Sequence, residues 1–96
     1  MAAPPPAAPF AQAVYDWLVM LDPGVFDEKS VPEARAGLVA VHARAEELVG
    51  WFETNGAKNG TLRRLQSNFD GVRATLPEPD SVGTERMAWL EVRERA

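Results

Sequence analysis

His42 and Glu46 stand four residues apart, the spacing that sets two side chains on one face of a helix. An imidazole beside a carboxylate is half of a metal site or the start of a general base. The other half is missing. His42 is the only histidine and there is no cysteine, so a closed tetrahedral zinc site lacks its further nitrogen and sulfur ligands. The expectation is a rim histidine paired with Glu46. Glu46 and Glu47 are neighbours that diverge around a helix, so they form a solvated face and not an acid–base pair. Ser30, Ser67 and Ser81 have no histidine at a useful spacing to serve as a base. The stretch Asn55-Gly-Ala-Lys-Asn-Gly60 precedes a helix, but it lacks the Lys-Ser/Thr ending and the preceding strand of a phosphate loop. No catalytic, cofactor-binding or metal-binding residue is assigned, and no enzyme is expected.

Charge narrows the partners. The formal net charge is -4, and the excess of acid lies ahead of residue 57. Nucleic-acid binding draws on clustered Lys and Arg. Only Lys58, Arg63, Arg64 and Arg73 come near that, with Asp70 among them, so no nucleic-acid partner is expected. Neither a membrane nor a small-molecule substrate is expected. No apolar run reaches the roughly 18 to 20 residues of a spanning helix. The opening Met1 to Pro9 has no basic segment followed by an apolar core, so it does not read as a secretory signal. These features predict a protein of the cytoplasm or of a soluble assembly.

The elements follow from periodicity and punctuation. Pro4, Pro5 and Pro6 forbid a helix, which predicts an extended Pro/Ala-rich arm over residues 1–9. Phe10, Val14, Trp17, Leu18 and Leu21 give a helix over about 10–21, ended by Asp22, Pro23 and Gly24. Val25 and Phe26, adjacent and large, are both expected to fold back onto the core. Ser30 with Glu33 three residues on reads as a capping box opening a helix over about 31–54. Asn55 and Gly56 close it. Thr61 is the expected cap of a third helix over about 61–76, stopped by Pro77, and a fourth covers about 84–95. The fold class is all-α: a small four-helix domain, residues 10–96, around a central antiparallel helical hairpin.

The hairpin rests on two hydrophobic seams. Val31, Ala34, Leu38, Val41, Ala45, Leu48 and Phe52 alternate steps of three and four without a break, and Leu62, Leu65, Phe69, Val72 and Leu76 resume the pattern. A repeat of 3.5 residues makes a helix that lies along another helix. Folding the third helix back over the turn sets Leu62 near Phe52 and Leu76 opposite Leu38. Val31 and Ala34 are then left bare, over about 10 Å of helix, for the first helix or a second copy to cover. Trp51 falls beside the seam, and with Val49 and Phe52 it makes the turn end wider than one partner helix needs. Trp89 or Leu90 of the fourth helix could pack there, or Trp51 could anchor another protein. The candidate interaction residues are therefore Trp51, Val49, Phe52, Val31, Ala34 and Trp89.

In size, acidity, alanine content and lack of cysteine the chain is similar to the WXG-type secreted hairpin proteins. Their Trp-x-Gly turn is absent here, where the turn reads Trp51-Phe52-Glu53, and prolines at 23, 32, 77 and 79 interrupt the helices. No family is assigned. The expected function is a non-catalytic protein–protein interaction or assembly subunit, as in a virion or a multi-enzyme complex, binding a protein partner or itself as a homo-oligomer. The alternative is a small acidic regulator or inhibitor docking on a target, with nucleic-acid mimicry the weaker form because Arg35 and Arg44 interrupt the carboxylates.

Overall fold

A computed structural model describes residues 4–95. The described residues are all helical, with four α-helices and no strand. These are α1 (Ala7–Met20), α2 (Val31–Asn55), α3 (Gly60–Thr75) and α4 (Arg86–Arg95), and short 3₁₀ turns at Glu28–Ser30 and Pro79–Ser81 lead into α2 and out of α3. The molecule measures 46 × 22 × 18 Å. Its long axis follows α2, whose 25 residues span about 37 Å.

Helix starts differ from the sequence expectation, each for a local reason. α1 begins at Ala7 and takes in Pro9, because a proline in the first turn gives up an N–H that has no intrahelical acceptor. The expected arm is therefore shorter at its described end, and residues 1–3 lie outside the described residues. The Ser30–Glu33 capping box does not form. Asp27 does that work one turn earlier, its carboxylate accepting from the backbone N–H groups of Lys29 and Ser30 at 2.9 and 3.2 Å. Ser30 donates its own hydroxyl to the same oxygen, and its helical backbone angles suit the turn and not a cap. At α3 the cap is Asn59 and not Thr61: the Asn59 side chain accepts from Leu62 N–H at 2.9 Å. Gly56 ends α2 at φ +71°, a conformation glycine adopts without a Cβ penalty.

All seven α2 seam positions are buried. The cover is not the expected one. α1 makes the extensive close approach to α2, and its Phe10 and Trp17, with Leu21 at its C-cap, enter the same core as Phe26, Val82 and Trp89. At Gly37 the side chains of α1 press on the α2 backbone, since a Cβ built there would stand 3.1 Å from Trp17 Cδ1 and 3.3 Å from Met20 Sδ. The α3 seam is mostly unburied: Phe69 alone is buried, edge-on to Phe10 with centroids 5.0 Å apart, while Val72 is exposed. Phe26 enters the core as expected, but Val25 is 74% exposed. The turn after Asp22, whose carbonyl accepts from both Val25 and Phe26 N–H, points the two side chains apart.

Candidate protein-interaction surface

Of the six candidate residues, four are closed off inside the chain. Val31 and Ala34 are 2% and 0% exposed, so the end of α2 beyond the expected reach of α3 is covered within the chain. Phe52 is buried at the other end, with Trp51 edge-on against it at 5.2 Å. Trp89 is fully buried, at the opposite end of α2 from Trp51: its indole donates to the Gly83 carbonyl at 2.8 Å, and the Arg35 guanidinium lies 5.9 Å above its ring. The expected packing of Trp89 beside Trp51 does not occur. Trp51 and Val49 remain partly accessible at the rim of the core.

The segment after α3 is fastened by cations spent on backbone carbonyls. Arg35 donates to the Pro79 and Val82 carbonyls at 3.2 and 3.1 Å, and Arg86 donates to those of Phe26 and Pro23 at 2.9 and 2.8 Å. Bonds from a charged donor contribute about 1.5–3 kcal/mol each, more than neutral ones. They tie α4 and its connector to the start of α2 and to the loop after α1. Nothing in the local sequence announces them, because the partners lie 44 to 63 residues away.

His42 does not pair with Glu46. Its Nε2 lies 2.8 Å from the Pro77 carbonyl, while Glu46 is 4.0 Å from Arg73. These pairs, together with the Phe52–Phe69 neighbourhood, run in opposite order along α2 and along residues 66–77. Among the described residues no group of three or more His, Cys, Asp or Glu is placed to hold a metal ion, and no helix is long and apolar enough to cross a membrane.

A groove of about 380 Å³ runs along one side of the α1–α2 pair, lined on α1 by Gln12, Ala13, Asp16 and Met20, and on α2 by Gly37, Ala40 and Arg44. The α2 line continues in heptad steps through Glu47 to Trp51, so the tryptophan that the seam left over belongs by spacing to this second side. Trp17 also lines the groove, and its fully buried Nε1 has no hydrogen-bond partner among the described residues. Such a donor left unpaired costs about 1–3 kcal/mol. Sequence reasoning missed this side of α2. The spacing of 37, 40, 44, 47 and 51 was its signal, obscured because glycine, arginine and glutamate stand on it.

No family model, curated protein or solved structure matches this chain.

Proposed function

We propose that this protein is a non-catalytic interaction or assembly subunit that associates through apolar helix faces, with another protein or with itself. The observation that carries the reading is the placement of its exposed apolar side chains. Tyr15, Val19, Val25, Val39 and Met87 are between 52 and 74% exposed. Single exposed apolar residues are ordinary. Here Tyr15 and Val19 stand one turn apart on α1, and Val39 sits among exposed Ala36, Ala40 and Ala43 on α2, so the same two helices carry two stripes. In this reading α2 and α3 act as the antiparallel hairpin of the frame, and the Pro/Ala-rich N-terminal segment acts as an arm toward a neighbour. Trp51 and Val49 extend the contact surface at the turn end.

The test is solution mass by light scattering at two concentrations and two salt levels, for the protein and for Trp51→Ala. Association that resists salt and weakens in the variant, with far-ultraviolet helicity retained, supports the reading. Unchanged assembly mass in Trp51→Ala counts against it. The second reading, an acidic regulator or inhibitor of a target protein, draws on the net charge of -4. Binding led by charge would fall steeply between low and moderate salt, whereas an apolar contact hardly responds.

A further inference from the structure

The turn that joins α2 to α3 holds two Asn-Gly pairs, Asn55–Gly56 and Asn59–Gly60. An asparagine followed by glycine can lose ammonia without an enzyme, because glycine sets no side chain in the way of its own nitrogen. That nitrogen, on giving up its proton, attacks the asparagine Cγ. A C–N bond forms, the Cγ–Nδ2 bond breaks, and ammonia leaves with the proton, which closes a five-membered imide. Water then opens the imide at either carbonyl. One opening leaves aspartate, and the other leaves isoaspartate, in which the main chain runs through Cγ. The net reaction consumes a water, releases an ammonia and adds a negative charge.

Folding treats the two pairs differently. At the first, both reacting residues are engaged: the Gly56 nitrogen donates to the Phe52 carbonyl at 2.7 Å, and Asn55 Nδ2 donates to the Trp51 carbonyl at 2.9 Å. Asn55 is also the half-buried last residue of α2, so closing the imide there must unwind the final turn. At the second pair the nucleophile is not held. Gly60 opens α3, where an N–H has no intrahelical acceptor, and its nitrogen donates to no group among the described residues. Asn59 and Gly60 are both exposed, and Asn59 has an extended backbone outside the helix. The hydrogen bond to be given up there is the cap, from Leu62 N–H to the Asn59 side chain. The remaining asparagine, Asn68, lies inside α3 ahead of the bulky Phe69, whose nitrogen belongs to the helical ladder.

We infer that Asn59 is a site of spontaneous deamidation, and that the closed end of α2 shields Asn55 from the same reaction. The two products act differently on α3. Aspartate keeps an acceptor at the cap and sets a negative charge at the helix N-terminus, where it is favoured. Isoaspartate lengthens the main chain by a carbon just ahead of α3 and takes the cap out of register. The test is to hold the whole chain at mildly alkaline pH, folded and in urea, and to follow the conversion of amide to acid by mass in tryptic peptides. Cleavage after Lys58 and Arg64 puts the asparagines in separate peptides. In urea Asn55 and Asn59 should convert at similar rates, since glycine follows both. In the folded chain Asn59 should convert on the order of tenfold faster than Asn55, the size expected when a further hydrogen bond must open. Gly60→Ala, whose Cβ would meet nothing within 4 Å, should slow Asn59 and leave Asn55 as it was. Equal rates at the two sites in the folded chain, or an Asn59 that converts in urea but not when folded, overturns the assignment. Undiminished conversion in Gly60→Ala overturns the route through the Gly60 nitrogen.

Discussion

Replacing Gly37 with alanine sets two effects of known sign against each other. Alanine is favoured over glycine inside a helix by about 0.5–1 kcal/mol, and the gain is available wherever the new Cβ has room. Gly50, also inside α2, has nothing within 4 Å of its Cβ position, and neither has Gly71 in α3. Gly50→Ala and Gly71→Ala should each stabilise by about that amount. At Gly37 the Cβ would stand 3.1 Å from Trp17 Cδ1 and 3.3 Å from Met20 Sδ, against an ordinary carbon–carbon contact of about 3.5–4.0 Å. Met20 can swing into solvent, but Trp17 is 0% exposed and has nowhere to go. Overpacking of this kind costs about 1–3 kcal/mol, which exceeds the propensity gain. Gly37→Ala should therefore destabilise, and should fall about 1–3 kcal/mol below Gly50→Ala. In a domain of this size each kcal/mol moves the melting midpoint by about 4–8 °C, so the two variants should separate by roughly 10 °C. Paired thermal and urea unfolding by far-ultraviolet circular dichroism reads the difference. Equal stabilisation by Gly37→Ala and Gly50→Ala would refute the close approach of α1 to α2.

Two further outcomes bear on how the ends are held. Arg35→Ala removes two good hydrogen bonds to the Pro79 and Val82 carbonyls and the cation above Trp89, and should cost about 2–4 kcal/mol in urea unfolding. A loss under about 0.5 kcal/mol would mean that water replaces the guanidinium at those carbonyls without penalty. Asn59→Ala deletes the side-chain acceptor at the start of α3 and should cost about 1 kcal/mol, whereas Thr61→Ala, which removes no cap, should cost little. A larger loss in Thr61→Ala than in Asn59→Ala would put the cap at Thr61 instead.

The α2 seam was fully legible because a 3.5-residue repeat of Val, Ala, Leu and Phe states which face of a helix is buried. It does not state what buries it. For α3 the same repeat overstated burial: Leu62 and Leu65 are half-covered and Val72 is exposed, since α1 takes up most of the surface that α2 offers. The caps lie two or three residues ahead of the expected ones because Asp27, Ser30, Asn59 and Thr61 are all competent acceptors, and only the path of the chain chooses among them. Trp51 is half-buried beside the seam. Its membership in a second heptad line beside the groove was hidden by the glycine and charged residues on that line.

The sequence by itself determined the number and kind of helices, the buried face of α2 and the glycine that ends it. These depend on side-chain periodicity and on backbone preferences within a few residues. Tertiary structure alone decided that α1 covers α2, that Arg35 and Arg86 bind distant carbonyls, that Trp89 lies far from Trp51, and that the Trp17 donor has no partner among the described residues. Each of those depends on where residues far apart in the chain meet in space, and local pattern carries no record of that distance.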